Sequence, residues 1–212
     1  MMLRPSAVVL LLSLAWPAVA SASDTCDSRS AEQKAQVDQE LLDYWKADKE
    51  DRENQDPETR KNDARRIKAV SKLVDKGWIC SPLNAFHAAW VLQRSPDAAH
   101  ARTAHALAKQ AMEARIQNGE WLAAVTFDIL QIRYGRPQRY GTQMTTLPDG
   151  ELCLYPVDVM ATDEERAQYR IRPLAETFRQ VLDLNNLHGV PATRESLDLE
   201  KLWCPPQKPP AE

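Results

Sequence analysis

Apolar residues recur every three to four positions along most of this chain, which is the spacing of amphipathic helices. The pattern predicts a mainly α-helical, single-domain bundle over residues 23–204 with one small β-hairpin insertion. The hairpin is expected within Tyr140–Tyr155, where Leu147–Gly150 (LPDG) is a turn signal between two short extended runs. The predicted helices are Ser30–Arg52, Glu58–Lys76, Asn84–Arg94, Pro96–Asn118, Glu120–Tyr134, a short helix opened by a capping box at Thr162–Glu165, Pro173–Leu184 and Thr193–Trp203.

Local signals predict where several of these helices begin and end. Gly77 predicts a C-terminal cap, and Ser95 followed by Pro96 predicts an N-cap with proline in the first turn. Gly119 is expected to close the helix that Pro96 begins. The helix Asn84–Arg94 is apolar on nearly all sides, so we expect it at the centre of the core.

The two ends of the chain differ from the helical part. Arg4, the apolar run Ala7–Trp16 and the small residues that follow predict a secretory signal peptide over residues 1–22, cleaved after Ala20 or Ala22. An uncleaved anchor is the alternative. Export of a soluble protein into a bacterial periplasm is the simplest expectation, and the Pro-rich tail 205–212 is predicted to be disordered.

Charge and cysteine content narrow the class of protein. The chain has 27 basic and 30 acidic residues with the signs interspersed, so nucleic acid is not an expected partner. Its four cysteines, in an oxidising compartment, predict two disulfides, for which three pairings are possible. If the first two helices lie antiparallel, their outer ends bring Cys26 close to Cys80, which favours Cys26–Cys80 and leaves Cys153–Cys204.

One acidic residue interrupts an otherwise apolar helix face. At 100° per residue, Asp128 falls in the same sector as Trp121, Val125 and Ile132. A carboxylate in such a stripe is costly unless it is paired. The loop that follows supplies polar groups that could pair with it, namely Arg136, Gln138, Arg139, Tyr140, Thr142 and Gln143.

A second helix has the same feature. Asp63 projects to the side of Ile67, Val70 and Val74, and Arg66 is close enough along the helix to pair with it. Gln93 is a further polar residue predicted to be buried. We expect these residues to form one cluster with Asp128, in which Arg66 or Arg136 reaches the Asp128 carboxylate.

Two interpretations of that cluster stay open. It is either a network that fixes how the helices dock, or a pocket able to perform acid–base chemistry. The pocket would have Asp63, Arg66 and Asp128 as its floor and Gln138, Tyr140, Thr142 and Gln143 as its rim. No metal site is expected, because His100 and His105 are five residues apart and cannot share a metal on a regular helix. No cofactor is expected either, because the sequence has neither a P-loop nor a G-x-G-x-x-G motif.

Gly135–Gln143 (GRPQRYGTQ) resembles the Gly-x-x-Gln-x-Tyr-Gly-Thr-Gln signature of a bacterial family of domains of unknown function. That family also has an Asp-x-x-Arg helix, a Gly-Trp turn, an Ala-Trp helix ending in a Gln-His-like dipeptide, and an Ala…Asp-Arg helix before the signature. The counterparts here are Asp63 with Arg66, Gly77-Trp78, Ala89-Trp90 with Gln93-Arg94, and Ala124 with Asp128-Ile129.

The likeness covers about Asp63–Glu176 and implies a shared fold and a shared polar cluster, without a reaction type. Arg94 stands where the family tends to have His, and Ile129 where it tends to have Arg. If those two positions are catalytic, the likeness implies an altered or inactive site.

The functional hypothesis is an exported, non-enzymatic binding or protein-interaction module of the cell envelope. It would take a small polar ligand or a partner protein, for example as an inhibitor of an envelope-acting enzyme. The alternative is an envelope hydrolase that uses Asp128 and Asp63 with the Gln138–Gln143 loop.

Overall fold

A computed structural model describes residues 26–187 and 203–204. Within these residues the chain is mainly helical with a small antiparallel hairpin, which confirms the predicted fold class. The predicted signal peptide, most of the predicted helix Thr193–Trp203 and the tail 205–212 lie outside the described residues. The elements are α1 (Ala31–Glu53), α2 (Thr59–Asp75), α3 (Pro82–Leu92), α4 (Ala98–Glu113), α5 (Gly119–Arg133), β1 (Met144–Thr146), β2 (Leu152–Leu154), α6 (Asp163–Gln168) and α7 (Leu174–Leu187).

The start of α1 and the end of α2 are capped by local hydrogen bonds. Ser30 and Gln33 form a capping box at the start of α1. At the end of α2, Gly77 adopts φ 63° and donates its N–H to the Val74 carbonyl at 2.8 Å, while Trp78 N–H reaches the Leu73 carbonyl at 2.8 Å. These paired bonds satisfy the last carbonyls of the helix, as predicted for a glycine cap.

Helix α3 lies at the centre of the larger of the two hydrophobic cores that the described residues form, as its composition predicts. Nearly all of its residues from Asn84 to Leu92 are buried, and it contacts α1, α2, α4 and α5. Its N-cap is Ser81, whose hydroxyl accepts the Asn84 N–H at 3.1 Å. A helix buried on all sides carries few polar groups, so each one that it does carry needs a partner.

The predicted ends of α4 were wrong. Asp97, and not Ser95, is the N-cap, because its carboxylate accepts the Ala99 N–H at 2.7 Å. The helix ends at Glu113 and not at Asn118, since Arg115 turns the chain with φ 58°. Gly119 does not close α4 but begins α5, where a Cβ would come within 2.9 Å of the Met112 Cα. A glycine is needed there because the two helix backbones approach closely.

The hairpin forms where it was predicted and belongs to a smaller core. Strands β1 and β2 pair antiparallel, with Thr145 opposite Cys153, and Gly150 takes φ 89° in the turn. Leu154 packs with Val157 from the following loop, and Phe178 and Val181 of α7 complete this core.

Two disulfides tie distant segments together, with the predicted pairings. Cys26 is bonded to Cys80 across the outer ends of α1 and α2, with Cα atoms 5.5 Å apart. Cys153 is bonded to Cys204, whose N–H also donates to the Leu154 carbonyl at 2.7 Å. Trp203 and Cys204 therefore lie beside β2, where Trp203 forms a parallel bridge with Leu154. In the described part of the chain, no helix has the length and apolarity needed to cross a membrane.

Candidate functional site

Asp128 is completely buried, and its carboxylate is surrounded by donors from the loop that follows α5. Its side chain is 0% exposed. Oδ1 accepts the backbone N–H of Arg139 at 2.7 Å and that of Tyr140 at 2.9 Å. Oδ2 accepts the backbone N–H of Thr142 at 3.0 Å and its hydroxyl at 2.9 Å. The carboxylate therefore acts as the acceptor around which residues 139–142 fold.

Two opposing effects act on the pKa of Asp128. Burial raises the pKa, and the hydrogen bonds from Tyr140, Thr142 and Arg139 lower it in part. Burial has the larger effect, so the net pKa lies above the usual value for an aspartate. Among the described residues, no basic side chain forms a salt bridge with Asp128 that would lower this pKa.

The Gln138 side chain also holds the loop, through hydrogen bonds to backbone groups of Gln143 and Tyr155. Its side chain is fully buried. Its Nε2 donates to the carbonyls of Gln143 at 3.1 Å and Tyr155 at 2.7 Å, and its Oε1 accepts the Gln143 N–H at 2.9 Å. Its backbone pairs with the strand-like segment opposite, donating to Pro156 at 2.8 Å and accepting from Asp158 at 2.8 Å. We call Asp128 and Gln138, with the segment 138–143 that they hold, the loop lock.

Arg139 connects the loop lock to a turn at residues 158–161. While its N–H is bound to Asp128, its guanidinium donates to Asp158 at 2.6 Å and forms a two-pronged pair with Glu165 at 2.9 and 2.6 Å. Asp158 Oδ1 accepts the Met160 N–H at 2.9 Å, and the Asp158 carbonyl accepts the Ala161 N–H at 3.0 Å. The Met160 N–H and the Arg139 guanidinium lower the pKa of Asp158, so it is ionised at neutral pH and holds both partners.

Arg166 of α6 and Tyr169, which follows that helix, contact the loop lock at Tyr140. The Tyr140 ring lies 4.6 Å from the ring of Tyr169, and burial together with a hydrogen bond to Tyr169 raises the pKa of Tyr140. Arg166 is almost entirely buried and donates to the Tyr140 carbonyl at 3.2 Å and to Asp163 at 2.9 Å. Gly141 has φ 75°, a conformation that favours glycine.

Asp63 and Arg66 belong to a different group, between α1 and α2. Arg66 donates to Asp63 at 2.7 Å and to Asp51 at 2.7 Å, and Arg52 donates to Asp63 at 2.8 Å. Burial alone would raise the pKa of Asp63, but the hydrogen bonds and charges of Arg52 and Arg66 outweigh it and lower that pKa. We call this group the helix-pair network.

Asp48 extends the helix-pair network to α3. Its side chain is 1% exposed. It accepts hydrogen bonds from Arg52 at 2.7 Å, from the Trp90 indole at 2.8 Å and from Arg94 at 3.2 Å. Arg94 is thus one of the partners of Asp48. A carboxylate with three donors and little exposure joins α1 to the central helix.

The sequence candidates therefore occupy two hydrogen-bonded groups instead of the one that we expected. Asp63 and Arg66 pair within the helix-pair network, whereas Gln138, Tyr140, Thr142 and Gln143 form the loop lock around Asp128. The prediction that Arg66 or Arg136 reaches Asp128 was wrong. Arg66 is bound to Asp51 and Asp63, and the Arg136 guanidinium lies 5.6 Å from the centre of the Tyr134 ring. The Asp128 carboxylate accepts hydrogen bonds from backbone N–H groups and not from an arginine.

Gln93 is buried, as predicted, but it joins neither group. Its side chain is 4% exposed, and neither of its amide atoms has a hydrogen-bond partner in the described part of the chain. Sequence reasoning also missed two buried charges, Asp48 and Arg166. The signal for Asp48 was its spacing from Val37 and Leu41, which places all three on one face of α1.

The loop lock supports an exposed apolar turn. Val159 is 86% exposed and Met160 is 73% exposed, so both side chains project into solvent. The turn that carries them is fixed at its base by Asp158, through Arg139 and Gln138. We call residues 158–161 the tip. Among the described residues, Val159 and Met160 are the two large apolar side chains that are both exposed and adjacent in sequence.

The comparisons with known proteins add no relative. The chain matches no protein-family model, no curated protein and no solved structure. In residues 26–187 and 203–204, no group of three or more His, Cys, Asp or Glu side chains could hold a metal ion.

Proposed function

We propose that this chain is an exported, non-enzymatic interaction protein of a bacterial cell envelope, and that it contacts a partner protein through the tip. The observation that carries the proposal is the outward projection of Val159 and Met160 from a fixed turn. Burying one such side chain in a partner stabilises a complex by about 1.5–3 kcal/mol. A turn that is already ordered loses little conformational entropy on binding.

The loop lock explains how this sequence orders the tip. Asp128 and Gln138 use buried hydrogen bonds to fix residues 138–143. Arg139 lies in that segment, and its guanidinium binds Asp158 at the base of the tip. The same residues form the signature that resembles the bacterial family of domains of unknown function. We propose that the chain shares with that family a loop whose polar residues are architectural.

Charge favours a particular kind of partner. The segment 158–165 (DVMATDEE) contains four acidic residues and no basic one. In the described part of the chain, its salt-bridge partners are Arg139 and Arg166. An acidic rim around an apolar tip complements an apolar cleft that is bordered by Lys or Arg. We therefore propose a partner protein with such a cleft, and association that weakens as salt is added.

Export is supported by two independent features. Residues 1–22 have the charge, apolar run and small-residue ending of a signal peptide. The two disulfides are typical of an oxidising compartment. A periplasmic location of the mature chain follows as part of the proposal.

The geometry gives no support to a hydrolase that uses Asp128 and Asp63. A catalytic acid or base has to reach the proton that it transfers. Asp128 is 0% exposed and already accepts from four donors. Asp63 is held by two arginines that lower its pKa, and it belongs to the other group.

Photo-cross-linking at the tip tests the proposal. The full chain carries the photoreactive residue p-benzoylphenylalanine at Val159 and is irradiated in an envelope extract, with the same residue at Leu83 as the control. Leu83 is the matched position because it is also apolar and 49% exposed, but lies in the first turn of α3. We expect a cross-linked protein at Val159, identified by mass spectrometry, and none of the same mass at Leu83.

Competition establishes that the cross-link is specific. An excess of the wild-type chain is expected to suppress the product, whereas Val159→Ser/Met160→Ser is expected to compete at least about tenfold less well. The yield is also expected to fall with added sodium chloride. Equal products at Val159 and Leu83, or equal competition by the double variant, would refute the proposed function.

A further inference from the structure

We propose that Met160 is a site of reversible oxidation to methionine sulfoxide, and that this modification switches the tip from a binding to a non-binding state. The proposal rests on the proposed function of the tip and adds its regulation. It is carried by the exposure of the Met160 thioether relative to those of Met112 and Met144.

The methionines differ sharply in their accessibility. Met112 packs against the larger core and Met144 against the smaller one. Met160 is 73% exposed at the tip. Because oxidants reach exposed thioethers first, a peroxide encounters the sulfur of Met160 before those of Met112 and Met144.

The reaction at Met160 is a two-electron oxygen transfer from a peroxide. The sulfur lone pair attacks one oxygen of hydrogen peroxide, the O–O bond breaks, a sulfur–oxygen bond forms, and water is released. The sulfur is oxidised and the peroxide is reduced. The product is polar and chiral where the thioether was apolar and flexible. Methionine sulfoxide reductases reverse the change: a pair of thiols is oxidised to a disulfide, the sulfur–oxygen bond breaks, and the oxygen leaves as water.

The structure predicts that oxidation alters the contact surface without unfolding the turn. The bonds that hold the tip are made by the Met160 and Ala161 N–H groups, by Asp158 and by Arg139. The Met160 side chain makes none of them. A sulfoxide therefore leaves the turn in place and puts a strong hydrogen-bond acceptor where the partner would meet apolar surface, which costs binding free energy when that acceptor is buried unpaired.

Peroxide titration of the full chain tests the first half of the proposal. Each methionine is followed by peptide mass mapping after exposure to hydrogen peroxide. We expect Met160 to form sulfoxide at least about tenfold faster than Met112 and Met144, with no loss of folded structure by circular dichroism. Equal rates at the three positions, or unfolding that accompanies oxidation of Met160, would overturn the proposal.

The cross-link at Val159 tests the second half, with each chain compared with itself before and after peroxide. We expect the yield to fall at least about tenfold on oxidation of the chain with Met160, and to be unchanged by peroxide in Met160→Leu, whatever its starting yield. Met144→Leu is the matched control and is expected to respond as the wild type does.

The outcomes separate this proposal from the one on which it rests. A yield that survives oxidation, or one that falls equally in Met160→Leu, overturns the switch and leaves the proposed function standing. A yield that is already absent before oxidation overturns the proposed function and the switch together.

Discussion

The carboxylate of Asp128 and the backbone N–H of Arg139 are 2.7 Å apart, and this contact links a buried acid to a surface turn. The same arginine that donates its N–H to Asp128 extends its guanidinium to Asp158 at 2.6 Å. One residue thus belongs to both the loop lock and the tip. The polar residues of the loop lock thus fix the backbone of the loop, and the turn that Arg139 holds exposes Val159 and Met160.

Removing the Asp128 carboxylate is expected to be strongly destabilising. In Asp128→Ala, three backbone N–H groups and the Thr142 hydroxyl lose their acceptor, so the free energy of unfolding should fall by roughly 3–5 kcal/mol. Urea denaturation measures it, with Asp75→Ala at the exposed end of α2 as the control, for which a change within about 0.5 kcal/mol is expected. An unchanged midpoint for Asp128→Ala would contradict the loop lock.

Gln138→Glu tests the direction of the Gln138 hydrogen bonds. The amide nitrogen donates to two carbonyls, and a glutamate would place a carboxylate oxygen against them. Stability should fall by about 2–4 kcal/mol at pH 7 and recover in part towards pH 4, where the protonated acid can donate to one carbonyl. Gln110→Glu, on the exposed side of α4, is the control in the same pH series. A pH-independent loss would show that the donor role of Gln138 is misassigned.

The free energy of unfolding is expected to depend on pH in the acid range, because Asp63 pairs with Arg52 and Arg66 in the helix-pair network. Because the folded-state pKa of Asp63 lies below its ordinary value of 3.8, its contribution is present above that value and is lost as the pH falls through the lower, folded-state pKa. The free energy of unfolding of the wild type should therefore approach that of Asp63→Asn below about pH 4. A gap between the two proteins that widens on acidification would contradict this assignment.

Asp128 should show the opposite dependence. Burial raises the pKa of Asp128 in the folded state, so the folded protein binds a proton more readily than the unfolded chain does. Its ionisation therefore costs stability as the pH rises from 3.8 to that raised pKa. Carbon-13 NMR of the Asp128 carboxyl measures this directly. A midpoint below the ordinary aspartate value of 3.8 would show that hydrogen bonding, and not burial, has the larger effect.

The two disulfides close loops of nearly equal length, so chain entropy predicts nearly equal contributions. The sequence separations are 54 for Cys26–Cys80 and 51 for Cys153–Cys204, which correspond to about 4 kcal/mol each. The variants Cys26→Ser/Cys80→Ser and Cys153→Ser/Cys204→Ser should therefore have similar unfolding free energies. A difference of more than about 1 kcal/mol between the two variants would contradict the chain-entropy prediction.

The sequence was informative where one residue type decides the local structure. The cap at Gly77 and the hairpin turn at Gly150 could be predicted because each position needs a positive φ. The disulfide pairing followed from the antiparallel α1 and α2. Asp128 was found because an acid at an apolar position is visible in the periodicity.

Other features could not be predicted because the deciding partner has no sequence signal. The donors to Asp128 are mainly backbone N–H groups, which every residue other than proline possesses. Asp48 was hidden in the charge-dense run Lys46–Arg66, where most side chains are solvated. Ser95 had the residue type of an N-cap, but its hydroxyl lies 2.8 Å from His100 Nδ1, and Asp97 caps the helix instead.

The most direct test of the central claim is whether stability and binding can be separated at the tip. Val159→Ser/Met160→Ser is measured by urea denaturation and, in parallel, as a competitor of the Val159 cross-link. Because the two side chains are exposed and make none of the bonds of the turn, we expect an unfolding free energy within about 0.5 kcal/mol of the wild type, together with competition weakened at least about tenfold. Full competition by a stable double variant would contradict the account, and so would a loss of competition that is accompanied by an equal loss of stability.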